Sequence, residues 1–266
     1  MIVAGSLLLM SPWASASGVS ASLLTAFFTA TSAVCVTGLA VVDTGTYWSG
    51  FGQGVILALL QLGGFGMMAS ASLLGRIIYR RMRLRSQVLV QAETHSLALG
   101  DSRRILKLIL GVTVVVELIA TLWLSLRFHY AYGMDWPQAC WQGLFHAVSA
   151  FNNAGFSTWG DSLTGFGADL QILAPVALAI IIGGLGFPVL YELIVARPNR
   201  YRHSLHTTLT LWGTAGLLLV GTIALLIAES GNPQTLGPMG WGERVLTAAF
   251  ASVSARTAGF NTIDMS

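Results

Sequence analysis

The sequence predicts an all-α membrane protein of repeated helix–pore-loop–helix units around a central ion path, with about 2.5 of four such repeats present in this chain. Three observations carry that expectation. Of 266 residues, 54% are hydrophobic and only 9% are charged, where a soluble domain carries about 25% charged residues. Apolar segments too short to cross a bilayer, which takes ~20 residues, alternate with segments long enough to do so. A small-residue stretch closing on glycine follows each short segment, and this happens three times.

The elements follow in order. Met1–Met10 is apolar and Ala14-Ser15-Ala16 resembles a cleavage site. No Lys or Arg precedes Arg76, so the basic region of a signal peptide is missing, and the stretch reads as the outer end of a membrane helix. Ser20 to Ala30 is a short helix with serine as a cap; it stops at the Thr31–Leu39 loop, and Asp43-Thr44-Gly45 turns the chain. Gly54–Ile78 is a full span containing Gly63-Gly64-Phe65-Gly66. Together these form repeat 1 (1–79), with its pore loop at 20–43 and its second helix at 54–79. A basic link occupies 80–104.

Repeat 2 (105–194) has the span Ile105–Phe128 and interfacial aromatics Tyr130, Tyr132 and Trp136. Its short helix is Trp136–Ser149, its pore loop 136–158. Its second span, Leu170–Ile194, is interrupted by Gly183-Gly184-Leu185-Gly186-Phe187-Pro188. A second link covers 195–206. Repeat 3 (207–266) has the span Thr207–Ala228, the short helix Trp241–Ser254 and the pore loop 241–264, without a second helix.

Eight of the fourteen Lys and Arg fall within Arg76–Lys107, and three more within Arg197–Arg202. The positive-inside rule places both links in the cytoplasm, so all three loops enter from the outer face in one orientation. Inverted repeats, common in secondary transporters, are not the pattern.

The loops end as Val36-Thr37-Gly38, Asn153-Ala154-Gly155 and Thr257-Ala258-Gly259, with glycines 117 and 104 residues apart. Counting from Ser32, Ser149 and Ser254, the third copy is one residue shorter. Irregular backbone at membrane depth is tolerated only where it is buried in protein or lines water. A dehydrated monovalent cation can partner such carbonyls, since a ring of oxygens replaces its hydration shell. Glycine allows the backbone angles this requires, and each short helix aims its negative end at the centre. No acidic side chain lies within the three endings, and the arrangement requires none.

Glu117 sits mid-span, where an ionisable group is expensive; it is read either as a functional partner of another span or as a hydrogen-bonded core group. Arg256 would repel a cation on the axis, so it is expected behind its loop, paired with an acid such as Glu117 or Asp264. Asp43, Asp161 and Asp264 follow the loops at the outer mouth, where they serve turns or concentrate cations. Cys35 and Cys140 show no metal spacing and are expected to be buried apolar thiols. His95, His203 and His206 are expected to be solvated. The arginine block can meet anionic lipid or a partner subunit. No nucleotide-binding glycine motif, nucleophile–base pair or metal cluster is seen, and the chain reads as a non-enzyme.

The three stretches Ser32–Leu39, Ser149–Phe156 and Ser254–Thr262, together with Gln61-Leu62-Gly63-Gly64-Phe65-Gly66 and Gly183-Gly184-Leu185-Gly186, resemble the pore loops and adjoining spans of the Trk/Ktr/HKT superfamily of potassium transporters. The Arg256–Thr262 stretch and Ser204-Leu205-His206-Thr207 lean toward the Ktr membrane subunit. The resemblance implies four repeats around one K⁺ path, and a homodimer in the bacterial inner membrane gated by a cytosolic ring of nucleotide-binding subunits. It implies a K⁺ filter made by the backbone carbonyls of Val36, Thr37, Gly38, Asn153, Ala154, Gly155, Thr257, Ala258 and Gly259, with Cys35, Asn152, Arg256 and Glu117 as filter support. K⁺ is then the transported ion and Na⁺ a candidate coupling or activating ion, with no other cofactor and no nucleic acid. The alternatives are a secondary transporter for another small solute or for Na⁺, and a non-conducting membrane fragment.

Overall fold

A computed structural model describes residues 1–81, 102–194 and 203–263, with the side chains of 67–81 and 102–106 set aside. The described residues form helices α1 (Ile2–Leu9), α2 (Leu23–Val34), α3 (Thr44–Tyr47), α4 (Gly50–Arg81), α5 (Ser102–Tyr132), α6 (Trp136–Phe151), α7 (Leu170–Gly184), α8 (Phe187–Ile194), α9 (Leu205–Glu229) and α10 (Trp241–Thr257). Among these residues there is no strand, only an isolated bridge between Ser15 and Trp48. The side chains of the basic block other than that of Lys107, most of the second link, His95 and Asp264 lie outside this description.

Among the described residues, α5 and α9 are long and apolar enough to cross a bilayer, over Lys107–Tyr132 and Leu205–Glu229. In α5, Thr113, Glu117, Ala120, Leu124 and Phe128 are buried, a stripe at helical spacing that faces the protein. Leu110, Val114, Leu118, Leu122 and Trp123 on the other side are exposed, as a lipid-facing surface requires. In α9 only Thr207 is buried. The apolar span over Leu170–Ile194 is interrupted within Gly183–Pro188, as its sequence suggests: α7 and α8 meet at 99°. The break falls where Gly186 adopts a left-handed φ of +82° and Pro188, lacking an N–H, follows.

The short helices α2, α6 and α10 have 12, 16 and 17 residues. At 1.5 Å per residue none reaches across ~30 Å of hydrocarbon. Ser22 caps α2, its Oγ accepting from the Thr25 N–H at 3.1 Å, and Glu243 accepts from the Gly240 N–H at the start of α10. Two apolar clusters seat them. One gathers Leu9, Ala26, Ala30, Trp48, Ile56 and Leu60 with Phe145, Ala154 and Phe156. The other joins Leu124, Phe128, Phe151, Ile172 and Val176 to Phe250 and Phe260. Each cluster thus packs one loop against helices that precede it in the chain.

At the opposite end of α7 from the break, Asp169 ties α7 to α5. Its Oδ1 accepts from the Gln171 N–H at 2.9 Å; its Oδ2 accepts from Arg127 Nε at 2.8 Å and from the Tyr132 hydroxyl at 3.0 Å. Desolvation alone would raise this carboxyl, but the hydrogen bonds from Arg127, Tyr132 and Gln171 hold it below the usual carboxylate range. A depressed carboxylate adds stability above its unfolded pKa and loses it as pH falls through the folded value. Asp169→Asn is therefore expected to cost about 1 kcal/mol or less at neutral pH, given solvent screening, and nothing once the wild-type carboxyl is protonated. Thermal unfolding of the detergent-solubilised protein across an acid series measures this; a difference that persists in acid would contradict it.

Candidate functional site

Three short helices end at three loops, and in each loop the glycine is left-handed. Gly38, Gly155 and Gly259 have φ of +74°, +71° and +79°. Val36 and Asn153, two residues before the first two glycines, are also left-handed, at +55° and +58°; only an imposed turn holds a β-branched residue there. The helices run further than the sequence suggests. α2 includes Thr31–Val34, and α10 continues through Arg256 and Thr257. Small residues packed against α4 keep the helical turn going, since Gly63 leaves room for the Val34 carbonyl and a Cβ there would overlap it. Gly183 in α7 plays the same part for the Phe151 carbonyl at the end of α6.

The loops adjoin one another in order. A Cβ on Gly38 would overlap the Ala154 carbonyl oxygen, and a Cβ on Gly155 would overlap the Ala258 carbonyl oxygen. Loop 1 thus abuts loop 2, and loop 2 abuts loop 3. Around them the backbone is well satisfied. Thr37 N–H donates to Ser32 O at 2.9 Å, Ala154 N–H to Ser149 O at 2.8 Å, and Gly259 N–H to Ser254 O at 3.2 Å. The Ser149 and Ser254 hydroxyls donate to the Phe156 and Phe260 carbonyls, at 2.7 and 2.6 Å, just past each glycine. In loop 1 the Thr37 hydroxyl donates to Ser32 Oγ instead, at 2.9 Å. Among the described residues, no hydrogen bond reaches the carbonyls of Val36, Thr37, Gly38, Asn153, Ala154, Gly155, Thr257, Ala258 or Gly259. Nine carbonyls on adjacent loops thus have no donor among the described residues, a costly state wherever water is excluded.

Behind loop 2 lies a buried polar cluster. Gln61 Nε2 donates to Glu117 Oε2 at 3.1 Å. Asn152 Nδ2 donates to Gln61 Oε1 at 2.9 Å, to Val148 O at 3.0 Å and to Glu117 Oε1 at 3.4 Å. Glu117 is 7% exposed and Asn152 likewise. Gly64 leaves the room for this, as a Cβ there would overlap Asn152 Oδ1. The sequence suggests Glu117 and Asn152 as filter support but not Gln61 as their common partner; the signal was its position two residues before Gly63-Gly64.

Among the described residues, Arg256 meets a hydroxyl and no acid. Glu117 is committed to Gln61 and Asn152, Asp264 lies outside the described residues, and the guanidinium donates to Thr214 Oγ1 of α9 at 3.2 Å. It lies against Gly184, where a Cβ would come within 2.5 Å of Nη2. The expected burial of the cysteines is corrected: Cys35 and Cys140 are exposed. Cys140 is off the Ala139–Gly143–His146 stripe that α6 buries, and Cys35 sits on a flank of loop 1 that no described element covers. Asp43 and Asp161 serve turns. Asp43 Oδ1 accepts from Thr46 N–H at 2.7 Å, and Asp161 Oδ2 from the Thr164 hydroxyl at 2.6 Å. His203 and His206 are exposed, and His203 Nδ1 lies 3.7 Å from Glu192.

Helix pairs flanking re-entrant loops with unpaired carbonyls define a membrane channel or transporter architecture. The chain belongs to the TrkH family of cation transport proteins, whose model, described as "TrkH: Cation transport protein", matches residues 2–266. It is 40% identical over 264 residues to the Ktr system potassium uptake protein B of Bacillus subtilis, covering 99% of this chain and 58% of that protein. It is 36% identical over 264 residues to the potassium/sodium uptake protein NtpJ of Enterococcus hirae, covering 99% of this chain and 58% of that one. Among solved structures, the potassium transporter TrkH from Vibrio parahaemolyticus shares the fold, with a TM-score of 0.65 at 18% identity over 98% of this chain and 49% of that one. The chain spans about half the length of the relatives it matches.

Proposed function

We propose that this chain supplies three arcs of a K⁺-selective filter in the pore subunit of a Trk/Ktr-type potassium-uptake system. The observation that carries this is the set of nine carbonyls on three adjoining loops, without a hydrogen-bond donor among the described residues. A dehydrated alkali cation partners such oxygens with no acidic side chain. The negative ends of α2, α6 and α10 add a favourable field. Names of relatives at 40% and 36% identity speak of potassium uptake, which supports K⁺ as the cargo. The same reading places the protein in the bacterial inner membrane with its basic links in the cytoplasm, as a homodimer regulated by a cytosolic nucleotide-binding subunit. Na⁺ is a second candidate ion, favoured by the potassium/sodium name of one relative.

The full-length protein that contains this chain, produced in a bacterium lacking its own potassium uptake, is expected to restore growth at low K⁺ and to take up Rb⁺. Membrane-inserted protein that moves Na⁺ but neither K⁺ nor Rb⁺ would favour the second ion. Protein that moves none of them would contradict the proposal.

A further inference from the structure

We infer that Asn153 and Thr257 form a latch between loops 2 and 3 that sets K⁺ over Na⁺ discrimination at the helix-side end of the filter. This rests on the filter reading above and adds a side-chain determinant to a site otherwise built of backbone.

The two residues occupy equivalent places, each two before its loop glycine, yet their side chains meet. Thr257 Oγ1 donates to Asn153 Oδ1 at 2.7 Å, across 104 residues of sequence. The Asn153 amide is oriented for this role. Its Nδ2 donates to the Phe151 carbonyl at 3.3 Å, and a carbonyl can only accept, so Oδ1 must face Thr257. The backbone at Asn153 is left-handed, a conformation asparagine accepts more readily than most residues. The equivalent residue of loop 1 is Val36, which has no polar atom to offer. The link between loops 2 and 3 therefore has no counterpart at that position between loops 1 and 2.

Each end of the latch is anchored by its neighbour in sequence. Asn152 points away from Asn153 and binds Gln61 and Glu117. Arg256, next to Thr257, donates to Thr214. The hydrogen bond thus joins two loops that are each held from behind, and fixes the spacing of the carbonyls of Asn153 and Thr257. A site that selects a larger over a smaller cation must resist closing around the smaller one, and a cross-link that sets the gap supplies such resistance. Oxygens of both residues belong to the candidate coordination set, so the two side chains are positioning groups acting through their own backbone.

The test uses the full-length protein in potassium-uptake-deficient cells and reads Rb⁺ uptake, its inhibition by Na⁺, and the amount of protein in the membrane. Thr257→Val keeps shape and removes the donor; Thr257→Ser keeps the donor; Thr257→Ala lacks both hydroxyl and methyl. The latch predicts that Val and Ala lower the Rb⁺/Na⁺ preference about fivefold to tenfold relative to Ser, the range of one net hydrogen bond. Val or Ala with unchanged preference overturns it. If Val does not reach the membrane, the Ser–Ala comparison decides: equal preference in the two overturns the latch. If only Ser accumulates, the hydroxyl is a folding requirement and the latch is likewise overturned. Failure of the underlying filter reading is distinguishable, because then the wild-type protein itself shows no Rb⁺ or K⁺ uptake.

Discussion

Gly155→Ser is expected to abolish K⁺ uptake while the protein still reaches the membrane. Two effects act together. A side chain at φ +71° pays the left-handed penalty of about 1–2 kcal/mol, and the new Cβ falls on the Ala258 carbonyl oxygen of the next loop. The first cost is bearable and the second is not: either loop 2 or loop 3 must move. Positioned sites lose about a hundredfold for a displacement of ~1 Å, and a loss of that size is the expected result. Gly38→Ser should behave alike, because its Cβ falls on the Ala154 carbonyl. Growth at limiting K⁺ and Rb⁺ uptake read the loss, and detection of the protein in membranes separates it from misfolding. Normal uptake by either variant would remove the close approach of the loops from the explanation.

Glu117→Gln is expected to be nearly as harmful as Glu117→Leu, although it is nearly isosteric. Both carboxyl oxygens accept, one from Gln61 Nε2 and the other from Asn152 Nδ2. A glutamine must set its own NH₂ against one of these donors. Turning the Gln61 amide does not help, since its Oε1 already accepts from Asn152. One buried donor is left without a partner in either variant, costing about 1–3 kcal/mol, and Asn152 loses part of what holds loop 2 from behind. A lowered unfolding temperature and reduced uptake in both variants are expected. A Gln variant with wild-type stability and transport would show that the cluster does not hold the loop. Gln61→Leu should reproduce the defect, because it removes the group that Glu117 and Asn152 share.

The helical architecture was legible because lipid leaves few choices: apolar length separates spans from half-helices, and glycine endings mark the loops. Boundaries were less legible. Thr31–Val34 reads as loop because its residues are small and β-branched, yet Gly63 admits the Val34 carbonyl and the helix continues. The interruption of Leu170–Ile194 was legible in Gly183–Pro188, but the sharpness of the bend was not, since it is set by the left-handed φ of Gly186. The loop endings were visible as backbone positions, but their side-chain partners were not. Nothing local to Arg256 shows that Thr214 will meet it. Gln61 and the Asn153–Thr257 contact depend on how segments distant in sequence pack. The double glycines at Gly63-Gly64 and Gly183-Gly184 carried that information in part. In each pair the first glycine admits a carbonyl from its own short helix, and the second admits a side chain, Asn152 or Arg256, from the next loop.

Everything depends on peptide oxygens from these loops coordinating a bare cation. Crystals of the full-length protein grown in Rb⁺, with anomalous scattering used to locate the ion, address this directly. The expected result is density bounded by the carbonyls of Val36–Gly38, Asn153–Gly155 and Thr257–Gly259. Rb⁺ found only at side-chain carboxylates such as Asp43 and Asp161, with none among those carbonyls, would contradict it.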